Sequence, residues 1–153
     1  MLQLNFPGVE LRAELTQALA PESCALLARA LERPLSCTAR HAIWTGPEIS
    51  MPLPTCQQTE PLAQHPAEAL SVFPQPGDLL LTALPPHAWP GQAGALIDLG
   101  LFYGPQGRCF FPLGWLAGTL VARLLPEDLA AAAELGSDLL RRGEQLAELR
   151  WFP

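Results

Sequence analysis

Leu2, Leu4 and Phe6 alternate with Gln3 and Asn5, and beyond Pro7-Gly8 the alternation resumes with Val9, Leu11, Ala13 and Leu15 set against Glu10, Arg12, Glu14 and Thr16. A period of two marks a strand with one buried face, and Pro-Gly in the central turn positions predicts a hairpin. At Pro21 the period changes. Leu27 and Leu31, with Cys24, recur at helical spacing, supported by Leu26 and Ala30. Pro21 suits the first helical position, where a missing N–H costs nothing, and Glu22 suits the positive end of the helix dipole. The spacing predicts a helix over 21–33, stopped by Pro34. Alternation returns in "SCTARHAIWTG", which places Cys37, Ala39, His41 and Ile43 on one side and Thr38, Arg40, Ala42 and Trp44 on the other. Gly46-Pro47 then turns the chain into the short apolar segment "EISMPLP".

From Pro52 to Pro76 the chain is rich in Pro, Gln and Ala, a loop that Pro76-Gly77-Asp78 closes before the strand "LLLTAL". A second loop, Pro85 to Gly94, precedes "ALIDLGLFYG", which is apolar on both faces and reads as a central strand. Pro126, Glu127 and Asp128 start a second helix over 126–142, with Arg141 and Arg142 at its negative end and Gly143 at the cap. "EQLAELRWF" returns as a last strand. About eight short strands and two helices predict a mainly β domain, a barrel or closed sheet capped by helices.

Composition narrows the function classes. At 153 residues, with 49% hydrophobic and 16% charged, the chain reads as one domain over 1–153 and not as a disordered segment. The net charge is −6 and all nine basic residues are arginine. No basic run exists beyond Arg141-Arg142, which argues against nucleic acid as a partner. The uncharged stretch between Asp78 and Asp98 is broken by Pro85, Pro86, Pro90, Gly91 and Gly94. The stretch from Cys109 to Ala122 is too short to span, so no membrane segment is expected. The first residues lack a basic head and a long apolar run, and Cys24, Cys37, Cys56 and Cys109 are widely spaced. Reduced thiols and a cytoplasmic setting are the expectation.

Candidate chemistry is sparse. Asp98 lies within "ALIDLGL", and a carboxylate among apolar neighbours is paired, neutralised or used. Arg40, Arg108 and His41 are its candidate partners. Asp78 is expected to serve its turn by bonding local backbone. His65 and His87 sit in Pro-rich loops without ligand spacing, so neither a metal nor any other cofactor is expected.

The stretch "LRAELTQALAPESCALLARAL", Leu11 to Leu31, resembles the N-terminal part of cyclophilins, in which an edge strand gives way through Ala-Pro to a helix that plugs a barrel. Further along, "HAIWTGPEI" (His41, Ala42, Trp44, Gly46, Glu48), then Pro76-Gly77-Asp78, then Asp98 in a strand ending at Tyr103-Gly104, resemble in order a bacterial family of cyclophilin-like proteins of unknown function. The resemblance implies an eight-stranded antiparallel barrel with two capping helices. Two asparagines of that family are absent here: Glu68 is followed by Ala69, and "GWLAG" at Gly114 to Gly118 lacks the other. Isomerases of the cyclophilin type carry Phe-His-Arg and then Met-Gln-Gly-Gly. Here Arg40 precedes His41, alternation sets the two on opposite faces, and no Met-Gln-Gly-Gly follows.

The sequence therefore predicts a cyclophilin-like barrel that binds a small molecule or short peptide in a barrel-side pocket, without strong catalysis. The rolled sheet is expected to keep room for a guest in its interior. His41, Trp44, Glu48, Asp98 and Tyr103 are the expected ligand-binding residues, and no catalytic residue is assigned. The alternatives are a peptidyl-prolyl isomerase using Arg40, or a protein-interaction module using the Pro-rich loops. A homo-oligomer is left open.

Overall fold

The structure is a computed structural model that describes Met1–Pro153. The strands are β1 (Leu2–Phe6), β2 (Val9–Leu15), β3 (Leu35–His41), β4 (Glu48–Pro52), β5 (Leu70–Ser71), β6 (Asp78–Leu84), β7 (Leu96–Phe102), β8 (Phe110–Phe111), β9 (Gly114–Trp115), β10 (Gly118–Leu124) and β11 (Gln145–Trp151). The helices are α1 (Pro21–Ala30) and α2 (Leu129–Arg142), the second entered through a 3-10 turn at Pro126–Asp128. Antiparallel pairing runs β2-β1-β11-β3-β4-β7-β6-β10, and β10 pairs back onto β2, so eight strands close a barrel. The short β5 adds to β10 at Gly118 and Thr119, and β8 with β9 forms a separate ribbon. No helix is long and apolar enough to cross a membrane.

Closure follows from the alternation. Leu4, Leu11, Ala13, Ile49, Met51, Leu79, Leu81, Leu99, Leu101 and Leu149 have no exposed surface, and they join the helical residues Cys24, Leu27, Leu135 and Leu139 in one continuous core. Each buried Leu or Ile contributes about 1.5–3 kcal/mol of transfer free energy, and interiors built this way pack to crystal-like density. The barrel interior is thus filled with aliphatic side chains. This corrects the expectation of room for a guest inside: the inward positions are apolar and packed in one continuous core with the helices.

Both helices begin as the sequence indicates but take their partners from elsewhere. Ala20 offers α1 no capping side chain, and the Glu68 carboxylate accepts the backbone N–H of Ser23 at 2.8 Å and of Glu22 at 3.3 Å. These amide bonds hold Glu68 below the usual carboxylate range. Helix α1 ends at Ala30, short of the predicted 33, where the pattern tightens to i→i−3 bonds from Leu31 to Ala28 at 3.2 Å and from Glu32 to Arg29 at 3.4 Å. Asp128 does not cap α2. Its carboxylate takes the Arg12 backbone N–H at 2.8 Å and the guanidinium Nε at 3.1 Å, tying the helix entrance to β2.

Strand β3 stops at His41, so the predicted alternation fails beyond it. Gly46 adopts φ +89°, and the Ala42 amide bonds the Glu48 carbonyl at 2.9 Å, closing residues 42–47 into a loop. Ile43 is consequently 80% exposed instead of sharing the buried side of Cys37 and Ala39.

Candidate functional site

The cavity lies on the outer face of the barrel wall, over β3, β4, β7 and β6. On β4, Glu48, Ser50 and Pro52 turn outward between the buried Ile49 and Met51; on β7, Asp98, Gly100 and Phe102 do the same between Leu99 and Leu101. Antiparallel register sets Glu48 opposite Phe102, Ser50 opposite Gly100, and Pro52 opposite Asp98, while Arg40 on β3 stands opposite Ser50. Thr82 and Leu84 continue the surface on β6. Period two, applied to paired strands, therefore gathers two acids, an arginine and two hydroxyl residues on one patch.

Loops raise walls around this patch. Residues 42–47 supply Trp44 and Thr45, the loop after β6 supplies Trp89, and the β8–β9 ribbon supplies Phe111, with Leu116 just beyond it. The ribbon is anchored by the Cys109 amide on the Val72 carbonyl at 2.9 Å and the Leu116 amide on the Cys109 carbonyl at 3.0 Å. Trp44 meets Phe111 with ring centroids 6.3 Å apart. The enclosed space is about 270 Å³. An adjoining chamber of about 260 Å³, almost wholly apolar, shares Trp44, Leu84, Trp89, Leu96, Phe111 and Leu116 and adds Pro112 and Leu113. The site grades from an acidic floor to an aromatic mouth.

The floor has unusual electrostatics. Glu48 is 6% exposed, and its Oε2 accepts the Thr45 hydroxyl. Its Oε1 takes no hydrogen bond and lies over Gly100, where an added Cβ would collide with it. Glycine at this position makes room for the carboxyl group, the close approach that an isolated glycine in a strand signals. Asp98 accepts the Ser50 hydroxyl at 2.8 Å. Burial, reinforced by the neighbouring Asp98 charge and opposed by Thr45, pushes Glu48 up to about 8. Burial also raises Asp98, to about 6, against the Ser50 hydrogen bond, the Arg40 charge and the Met51 amide. Like charges in a poorly solvated space resist joint ionisation, so the pair favours keeping a proton. The Cys109 thiol on the same wall is pushed up to about 12 by burial and then by Glu48.

Of the five residues the sequence singles out, His41, Trp44, Glu48 and Asp98 line the cavity and Tyr103 does not. The Tyr103 ring packs against Gly136 of α2, where a Cβ would strike it, because it continues past β7 onto the helix side. Its phenol still reaches the site indirectly, bonding His41 Nε2 at 2.7 Å while His41 Nδ1 meets the Ala42 carbonyl at 2.8 Å. A carbonyl can only accept, so Nδ1 donates in that bond. Of the three partners considered for Asp98, Arg40 is the one whose charge acts on it, but the direct hydrogen bond comes from Ser50. Asp78 serves its turn as expected, accepting the Gln75 amide at 2.8 Å, and also pairs with Arg123 at 3.0 Å. Sequence reasoning missed Thr45, Ser50 and Gly100. The signal for the last two was present: Ser50 lies two residues from Glu48, and Gly100 two from Asp98, each on the same strand face.

The chain belongs to the family described as "Protein of unknown function (DUF3830)", whose model matches residues 2–151. A search of curated proteins finds no match. Among solved structures the chain is similar to McbB, determined in complex with tryptophan, at 19% identity and a TM-score of 0.74. That likeness covers 99% of this chain and 44% of McbB, so the chain spans less than half of that protein's length. It is also similar to the hypothetical protein AF2241 from Archaeoglobus fulgidus, at 19% identity and a TM-score of 0.52, covering 99% of this chain and 93% of that one. At this level of identity the likeness establishes the barrel fold.

Proposed function

We propose that this protein binds a small amphipathic molecule in the outer-face cavity, its apolar part between Trp44, Trp89 and Phe111 and its polar end on the floor formed by β4 and β7. One observation carries the reading: the buried Glu48 and the partly buried Asp98 line a concave, aromatic-walled space, and neither is paired with a basic side chain. Apolar pockets with a few convergent polar groups of shifted pKa are the usual form of small-molecule sites. The cyclophilin-like ancestry inferred from the opening strand and helix belongs to this same reading, as does a setting inside the cell. A thermal-shift panel of small amphipathic compounds tests it. A compound at a hundred times its Kd adds about 2.7 kcal/mol of stability, and Leu96→Trp, which fills the cavity, removes the shift. A panel that shifts neither protein retires the proposal.

A second reading, prolyl isomerisation, draws support from Arg40 standing on the cavity wall near Trp44 and Phe111. Stabilising a twisted amide is electrostatic work that needs no nucleophile. Turnover in a protease-coupled proline-peptide assay, abolished by Arg40→Ala, would establish it over simple binding.

A further inference from the structure

The buried and partly buried acids on the barrel strands and at the helix α2 entrance fall into two kinds. Asp78 is paired with Arg123 at 3.0 Å, and Asp128 with Arg12 at 3.1 Å. Glu48 and Asp98 form no ion pair at all. The nearest candidate, Arg40, directs its guanidinium to Glu144 at 3.3 Å, near the surface. An unpaired carboxylate in a poorly solvated wall is costly, and a fold with arginines to spare elsewhere leaves these two without one. The cavity opens over them, and Glu48 Oε1 faces it without a hydrogen bond. The one arginine on the cavity wall, Arg40, acts on Asp98 through its charge but is paired with Glu144, so neither acid has a cation bonded to it.

We propose that the Glu48–Asp98 pair receives a protonated nitrogen of the ligand, so that the cavity selects small cationic amines with an apolar body over neutral or anionic molecules of the same shape. The proposal rests on the binding function argued above and names its substrate class. The ammonium group would supply the paired cation that both acids lack, donating to Glu48 Oε1 and to Asp98, while Thr45 and Ser50 hold Glu48 Oε2 and Asp98 Oδ1. The apolar body would lie against Trp44 and Phe111 at the mouth, where burial of its apolar surface adds to the affinity.

The groups facing Glu48 are Asp98 from β7, Arg40 and His41 from β3, and Cys109 from the segment leading into the ribbon. A cation delivered between the two acids favours ionisation of both, so amine binding at neutral pH releases a proton to solvent. The ammonium itself keeps its proton, and the balance closes with one proton leaving the Glu48–Asp98 pair.

Calorimetric titration with phenylethylamine, phenylethanol and phenylacetate separates the possibilities. The expected result is a Kd for the amine about tenfold or more below that for the alcohol, with the acid weakest. Repeating the amine titration in two buffers of different ionisation enthalpy should reveal proton release. Glu48→Gln and, separately, Asp98→Asn should each bring amine and alcohol closer in affinity while the alcohol still binds, and Glu48→Gln should abolish the proton release, whereas Asp98→Asn, which leaves Glu48 buried, should retain it. Equal affinities for amine and alcohol in the unaltered protein, or a preference that survives both variants, would overturn the cationic assignment and leave the pocket standing. Failure of all three probes to bind would overturn the pocket and this assignment together.

Discussion

Strands β4 and β7 have two sides, and the sides behave as different materials. Inward, Ile49, Met51, Leu99 and Leu101 are fully buried in an aliphatic core. Outward, over the same few residues, Glu48, Ser50 and Asp98 line a cavity in which neither acid forms an ion pair. The inner side gains from burial at no electrostatic cost. The outer side bears a desolvation cost that the inner side supports, an arrangement common where function requires strained chemistry on a rigid scaffold. One side of the backbone supplies stability and the other holds the chemistry, so substitutions one residue apart should affect different properties.

The largest expected effect comes from the inner side. Leu99→Ala removes a fully buried side chain and should cost about 2–5 kcal/mol in denaturant unfolding, with the affinity of any cavity ligand nearly unchanged while the protein remains folded. A large affinity change in a folded Leu99→Ala would break the separation of the two sides.

One position further along, Gly100→Ala tests whether the two sides are coupled through the backbone. The new Cβ collides with Glu48 Oε1 and must drive the carboxyl group aside. A stability loss of about 1–3 kcal/mol is expected from the overpacking, together with loss of ligand binding. Full affinity in this variant would show that the position of Glu48 is not important for binding.

A smaller effect, of opposite sign, is expected at Glu48 itself. Its folded pKa of about 8 lies above the ordinary 4.5, so between these values the folded protein holds a proton that the unfolded chain has released. Stability should therefore fall as pH rises from about 4.5 to about 8. Asp98 contributes the same sign between 3.8 and about 6. Glu48→Gln should flatten the upper part of the dependence and raise the melting temperature at alkaline pH. Thermal melts across the range measure it, and an unchanged slope would show that Glu48 does not carry the effect.

The smallest stability change belongs to the rim. Trp89, 37% exposed, sits at the cavity mouth. Trp89→Ala should change stability by no more than about 0.5 kcal/mol while weakening ligand affinity, as read by calorimetry.

The hydrophobic pattern of the sequence determined much of the architecture. Period two in Leu2–Phe6, Val9–Leu15 and Gln145–Trp151, prolines at the two helix starts and glycine after the second helix are local effects, and each is found where the pattern places it. Asp98 stands out in the sequence by its apolar neighbours and by the resemblance of its strand to the family pattern. What the pattern could not supply depends on which strands become neighbours. Glu48 and Asp98 are 50 positions apart, and only the β4–β7 pairing sets them on one patch. The mouth comes from loops whose apolar residues obey no periodicity, and the acid that caps α1 comes from Glu68, far along the chain. Tyr103 was misplaced for the same reason: alternation gives the side of a strand, but not whether a helix or a cavity lies beyond it. Local periodicity fixes which residues share a face, since backbone geometry repeats every two residues. The tertiary fold decides what each face meets, because that depends on contacts between distant segments that no local rule encodes.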